Sequence, residues 1–155
     1  MDRTAHDAAV TDIYNAIPEV NAEYVQPSVA LLARVAVLMT GSEPVWGSMR
    51  SEGGHVTEAV IYTSNRVTHA AHRGEEDLVV RAFRRTDLSA LSINGTEPDQ
   101  WRGNWTSVWP NNARVEAVYR DGTTLTLPLF SHPLSQPLRL KFDKFLPDLI
   151  ADLDR

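Results

Sequence analysis

Apolar and polar positions alternate from Val115 to Leu129, and Asp121-Gly122 interrupts this alternation once. Two alternating runs joined by Asp-Gly are typical of a β-hairpin, because a type I′ turn needs two residues that tolerate positive φ. The same period of two recurs between residues 45 and 108. It predicts further strands or strand fragments at Val45–Arg50, Val56–Thr63, Val67–His72, Leu78–Arg84, Leu88–Ile93 and Trp105–Val108.

Helical spacing replaces this alternation near the start of the sequence. Thr4–Ile17 carries one apolar stripe at positions i, i+3, i+4 and i+7, and Pro18 ends the pattern. Ser28–Thr40 is apolar nearly all round, which indicates a helix in the core rather than on the surface. Two N-terminal helices are therefore expected before the first strand.

A third helical stripe runs through Gln136–Leu153, with Pro147 inside it. Proline removes one backbone N–H, so we expect this helix to be kinked or restarted there, with Pro147 at the first position of the new segment. The alternative is a strand followed by a shorter helix, because Leu138, Leu140 and Phe142 also alternate.

Together these elements predict a single α+β unit. We expect a bent antiparallel sheet, or a partly open barrel of about seven strands, with a C-terminal helix capping it and one or two N-terminal helices. The 155 residues suit one domain. Within it, residues 1–42 form an N-terminal helical extension and residues 43–155 form the main unit.

Composition narrows the chemistry and the location. The absence of cysteine excludes disulfides, cysteine-ligated metals and thiol catalysis, and the net charge of −5 argues against nonspecific nucleic-acid binding. The first residues lack the layout of a signal peptide, and the longest apolar run, Val29–Met39, is shorter than the ~20 residues of a membrane span. The predominance of arginine over lysine, with many Ala and Val, is typical of a GC-rich bacterial gene. We expect a cytoplasmic protein without a transmembrane segment and without a cofactor.

Three passages resemble bacterial pleckstrin-homology-like (PH-like or GRAM-like) domains. Ala59–Val67 is similar to that family's passage of apolar strand, Thr-x-x-Arg and apolar strand, and Asp87–Ile93 is similar to its polar-Leu/Ile-Ser-x-Leu/Val strand. Val115–Leu129 resembles the family's final hairpin before the helix. The resemblance covers roughly residues 43–153. It implies about seven antiparallel strands followed by one C-terminal helix.

One departure from that family bears on function. Its phosphoinositide-binding members resemble one another in a basic cluster around the first hairpin. Here the corresponding segment, Met49–His55, contains one Arg and one Glu. Phosphoinositide binding is therefore not expected of this chain.

Trp101, Trp105 and Trp109 recur every four residues and form the first candidate site. They would share one side of a helix, where four residues make about one turn, and one face of a strand, where four is an even step. Tryptophan is enriched in interface hot spots, so this segment is a candidate anchor for a partner chain. The alternative is a lid that closes the open end of the barrel.

Arg81 and Arg85 form the second candidate site. On a continuous strand they project to one face and Arg84 to the other. Such a patch would bind an anionic group on a peptide, phosphate or headgroup. The alternative is a solvated sheet face, paired with the acidic residues of Glu75–Asp77.

No catalytic or metal-binding motif is present in the sequence. There is no Gly-x-Ser-x-Gly, no phosphate loop, no dinucleotide fingerprint and no His-Glu-x-x-His. His69 and His72 are three residues apart on a predicted strand and therefore point to opposite faces, which does not suit a shared metal. Asp121 is interpreted as a turn residue rather than a catalytic acid.

The resulting hypothesis is a non-catalytic module that binds a protein partner or another copy of itself. Binding would use the tryptophan segment or an open sheet edge. The alternative is a small-ligand-binding protein or enzyme with a cone-shaped α+β fold and a pocket between Ser28–Thr40 and the sheet. The residues to test first under that alternative are His69, Tyr62, Asp87 and Trp105.

Overall fold

The computed structural model describes residues 3–16, 29–39, 42–52, 55–72, 77–94, 114–129 and 136–155. Within these residues two helices precede seven strands and one helix follows them. The elements are α1 (Arg3–Ala16), α2 (Val29–Met39), β1 (Trp46–Glu52), β2 (His55–Tyr62), β3 (Arg66–His72), β4 (Leu78–Arg84), β5 (Leu88–Asn94), β6 (Arg114–Tyr119), β7 (Thr124–Leu127) and α3 (Gln136–Ala151). Each predicted helix and strand is confirmed to within two residues, except Trp105–Val108, which lies outside the described residues.

The strands form two antiparallel sheets. The first sheet has the order β1-β2-β3-β4 and the second has the order β5-β6-β7. Among the described strands the sheets do not join into a closed barrel, so the predicted α+β fold with a partly open sheet arrangement is confirmed. None of the described helices is both long and apolar enough to cross a membrane.

The first sheet is covered on both faces. Its outer face packs against α1 and α2, where the apolar stripe of α2 meets alternate residues of the strands. This outer cluster consists of Ile13, Leu31, Leu32, Val35, Ala36, Met39, Met49, Val56, Ala59, Ile61 and Ala70, all buried. Both faces of β2 are thus needed for the core, which explains why β2 is apolar at nearly every position after Glu58.

The inner face of the first sheet, the second sheet and α3 enclose a second cluster. Phe142, Phe145 and Leu149 lie on one stripe of α3 and are buried there. The Trp46 ring stacks on Phe145 with a centroid distance of 4.9 Å and also contacts Phe142 at 5.4 Å. α3 therefore fills the space between the two sheets, as the predicted capping helix does.

α3 is one continuous helix over Gln136–Ala151, with Pro147 inside it. The alternative of a strand over its first residues is wrong, as is the restart at Pro147. Pro147 is exposed, on the side of the helix that faces away from the buried stripe. A 3-10 turn, Asp152–Asp154, follows the helix directly.

The β6–β7 hairpin is confirmed, but its loop is longer than predicted. Tyr119 and Thr123 face each other, because the Tyr119 N–H donates to the Thr123 carbonyl at 2.9 Å and the Gly122 N–H donates back to the Tyr119 carbonyl at 2.9 Å. Three residues therefore lie in the loop, and Gly122 has a φ of 90°. This is the arrangement of a three-residue loop with glycine at the left-handed position, not of a two-residue type I′ turn.

Candidate functional site

The structure places the two arginines of the predicted patch in different environments. Arg81 lies on β4 and is exposed, whereas Arg85 begins a 3-10 turn, Arg85–Asp87, and is only 3 % exposed. Arg85 lies beyond β4, which ends at Arg84, and its side chain is enclosed in the core. The two side chains therefore do not form one anion-binding surface.

The Arg85 guanidinium makes its contacts inside the protein rather than with solvent. Its Nε donates to Asp152 Oδ2 at 2.8 Å and its Nη1 donates to the Thr63 carbonyl at 2.8 Å. The guanidinium also lies over the rings of Tyr62 and Phe145, at 5.9 and 5.6 Å from their centroids. Arg85 thus connects the end of β2 to the end of α3, which is a structural role.

A pair of tyrosines lies beside this arginine in the core. The hydroxyl groups of Tyr62 and Tyr119 are 2.7 Å apart and link the first sheet to the second. Burial, and for Tyr62 the neighbouring Tyr119 hydroxyl, raises the pKa of both phenols well above the ordinary value. Both hydroxyls stay neutral at ordinary pH, and each satisfies the other inside the core.

The tryptophan segment lies outside the described residues. β5 ends at Asn94 and β6 begins at Arg114, so Trp101, Trp105 and Trp109 belong to the connection between these two strands. Their role as a partner anchor, or as a lid, stays a prediction.

The structure instead reveals a polar row on the inner face of the first sheet. Arg50, Glu58, His69 and Arg81 come from β1, β2, β3 and β4 in that order. Arg50 is directly opposite Glu58, and His69 is directly opposite Arg81. Glu58 and His69 are diagonal neighbours on adjacent strands, because Val60 is the residue opposite His69. All four side chains therefore lie on the same face.

The centre of this polar row is the contact between Glu58 and His69. Glu58 Oε2 is 2.7 Å from His69 Nε2, and Glu58 Oε1 is 3.4 Å from Arg50 Nη2. The side chains of Glu58 and His69 are 18 % and 12 % exposed, whereas that of Arg50 is 43 % exposed. Burial raises the pKa of Glu58, but the hydrogen bond to His69 and the charges of His69 and Arg50 outweigh it, so the pKa lies below its ordinary value of 4.5. Because an ionised carboxylate can only accept a hydrogen bond, His69 Nε2 is the donor to Glu58.

Arg81 extends this row to the second sheet. Its Nη2 donates to Thr123 Oγ1 at 2.7 Å, and its Nη1 is 3.6 Å from Asp121 Oδ2. Asp121 also accepts a 2.8 Å hydrogen bond from the Thr123 N–H, as expected of an aspartate in a turn. Arg81 thus connects the loop end of the β6–β7 hairpin to the inner face of the first sheet.

The sequence reasoning singled out His69 and Arg81 but missed Arg50 and Glu58. The sequence did contain a signal for the contact between Glu58 and His69, because the turn at Ser64-Asn65 joins β2 to β3 and determines their register. Thr63 faces Arg66 across this turn, and counting back from that pair makes Glu58 the diagonal neighbour of His69.

Two of the residues named for the alternative pocket, Tyr62 and His69, do not lie between α2 and the sheet, and Trp105 lies outside the described residues. Tyr62 and His69 lie on the inner face, which faces away from α2, and the Asp87 carbonyl accepts a hydrogen bond from the Arg120 N–H. The apolar side chains described between α2 and the sheet are those of the outer apolar cluster. Two polar side chains of β3 lie on the same face: Arg66 Nη1 donates to the Leu38 carbonyl of α2 at 3.2 Å, and Thr68, opposite Ile61, is fully buried. The described residues also contain no group of three or more potential metal ligands.

Comparisons with known proteins identify no relative. No model of a known protein family, no curated protein and no solved structure matches the chain.

Proposed function

We propose that the chain is a non-catalytic PH-like module of the bacterial cytoplasm that binds a protein partner or another copy of itself. Support for the PH-like assignment comes from the order of the elements. A four-stranded and then a three-stranded antiparallel sheet are followed by a helix that fills the space between them. Fold alone does not determine function, so the binding proposal rests on features of the surface.

One edge of the second sheet carries the binding proposal. Among the described strands β5 is an outermost strand, and its seven residues include no charged residue and no proline. Natural sheets usually protect such edges with charges, prolines or short strands, because an open edge pairs readily with another chain. Ile93, near the end of β5, is 64 % exposed. An outermost strand that has no charge or proline and carries an exposed apolar side chain is suited to adding a strand from a partner.

The segment that contains the three tryptophans follows the β5 edge directly along the chain. Trp101, Trp105 and Trp109 follow β5 on the same connection, so an edge that pairs with a partner backbone would be continuous along the chain with a set of aromatic anchors. Trp105 is the middle one of the three and is the residue to remove first.

The experiment compares self-association and partner capture for four forms of the chain. Trp105→Ala and Ile93→Lys alter the proposed surface, and Val37→Lys is the matched control, since Val37 is 60 % exposed on α2. Size exclusion with light scattering measures self-association, and quantitative affinity capture measures a partner. Loss of assembly or of the same captured protein in Trp105→Ala and Ile93→Lys, but not in Val37→Lys, supports the proposal. Folded variants that assemble and capture like the wild type contradict it.

The alternative function, small-ligand binding or catalysis, is favoured by the contact between Glu58 and His69. A histidine held by a carboxylate is a common arrangement for a general base. A thermal-shift screen of small ligands, run on the wild type and on Glu58→Gln, distinguishes the two functions. A ligand that stabilises only the wild type supports this alternative.

A further inference from the structure

The polar row connects a titratable side chain to the contact between the two sheets. His69 and Arg81 occupy directly opposite positions of an antiparallel pair, where side chains of one face lie close together. Arg81 in turn donates to Thr123 on the β6–β7 hairpin. A change of charge on His69 therefore acts on the side chain that holds this hairpin.

We propose that protonation of His69 loosens the contact between Arg81 and the β6–β7 hairpin, so that the two sheets are held less tightly at this end in acid. Imidazole is the side chain whose ordinary titration falls between pH 5 and 8. Neutral His69 donates from Nε2 to Glu58 and carries no charge towards Arg81. Protonated His69 is a cation between the Glu58 carboxylate and the Arg81 guanidinium.

The surrounding charges decide which contact weakens. Among the described residues, those facing His69 are Glu58 from β2 with Arg50 from β1 behind it, and Arg81 from β4 with Asp121 from the hairpin behind it. Glu58 attracts the protonated ring at 2.7 Å and keeps it in place. Arg81 is 44 % exposed and its ion pair with Asp121 is long at 3.6 Å, so it is the group that is free to move. Repulsion from His69 therefore displaces Arg81 rather than the ring.

Asp121, the carboxylate in the loop of this hairpin, does not interfere with the measurement. The pKa of Asp121 lies below its ordinary value because its carboxylate accepts hydrogen bonds from the backbone and the side chain of Thr123. A response of the hairpin between pH 5 and 8 cannot then come from Asp121. The loosening requires no partner chain, so it is independent of the proposed interaction function.

The test is an NMR titration of the full chain between pH 5 and 8. It follows the His69 ring together with the backbone amides of Gly122 and Thr123. We expect the Thr123 amide to shift with the same midpoint as the His69 ring. His69→Gln should abolish the response, while His72→Gln is the matched control and should leave it unchanged, because His72 is exposed on the opposite face of β3.

One further variant keeps the inference testable if His69→Gln does not fold. Arg81→Gln should remove the Thr123 response, because it deletes the side chain that donates to Thr123. A Thr123 amide that does not respond in the wild type, or that still follows pH in folded His69→Gln or Arg81→Gln, overturns the inference.

Discussion

Asp152→Asn removes the negative charge that pairs with Arg85 in the core, and it keeps the size of the side chain. The two side chains are 4 % and 0 % exposed, so solvent does not screen the pair. Three contributions are lost or changed. The 2.8 Å bond from Arg85 Nε is charge-assisted and contributes about 1.5–3 kcal/mol. The bond from Arg155, which is 49 % exposed, contributes less than about 1 kcal/mol. The remaining effect is an uncompensated buried guanidinium.

Breaking a buried ion pair costs about 3–5 kcal/mol in all. Because asparagine still accepts one hydrogen bond, we expect a loss near the lower limit, about 3 kcal/mol of the free energy of unfolding. For a chain of this length each kcal/mol lowers the melting temperature by about 2–4 °C, so the expected decrease is about 6–12 °C. Urea and thermal unfolding followed by far-ultraviolet circular dichroism measure both quantities, and an unchanged m-value shows that only stability has changed.

Two comparisons make this prediction specific to the ion pair. Arg155→Gln removes only the exposed partner of Asp152 and should cost less than about 1 kcal/mol. The double variant Arg85→Met/Asp152→Leu should cost less than the sum of its two single variants, because it leaves no buried charge unpaired. A loss below about 1 kcal/mol for Asp152→Asn, or strict additivity in the double variant, would show that the pair does not hold α3 in place.

Two further predictions concern the hairpin loop and acid stability. Gly122→Ala should cost about 1–2 kcal/mol in urea unfolding, since its φ of 90° disfavours a side chain while no atom lies within 4 Å of the added Cβ; a much larger loss would indicate a clash that the structure does not contain. Because the folded-state pKa of Glu58 is lowered, its ionised form contributes stability that is present above its unfolded pKa and is lost as the pH falls through the folded pKa. Glu58→Gln should therefore destabilise the protein near pH 6 and cost progressively less from about pH 5 to pH 3, and a cost that does not change with pH would contradict this explanation.

The sequence predicted the elements well because local periodicity reports which residues are buried. Val115, Ala117 and Tyr119 alternate in the sequence and are the buried residues of β6. The same reasoning located α3 through Phe142 and Phe145, whichever way Pro147 was interpreted. Burial on one face is the property that such patterns encode, so elements with a strong pattern were found to within two residues.

The errors arose where pairing or distant partners decide the outcome. Asp121-Gly122 suits a two-residue loop but also the last two residues of a three-residue loop, and only the pairing of Thr123 with Tyr119 distinguishes them. The sequence suggests a surface patch for Arg85 because nothing nearby in sequence reveals its buried partner, Asp152, which is 67 positions away. The contact between Glu58 and His69, by contrast, follows from a register that the sequence contained.

The position of α3 has a consequence for the growing chain on the ribosome. All seven described strands are synthesised before Phe142, Phe145 and Leu149, so the inner faces of the two sheets cannot be fully buried until the helix that covers them has been made. Until then Trp46, Tyr62 and the other inner apolar residues lack part of their native cover, and exposed apolar surface of this kind makes an incomplete chain prone to aggregation. Native packing is complete only after translation has passed Asp152.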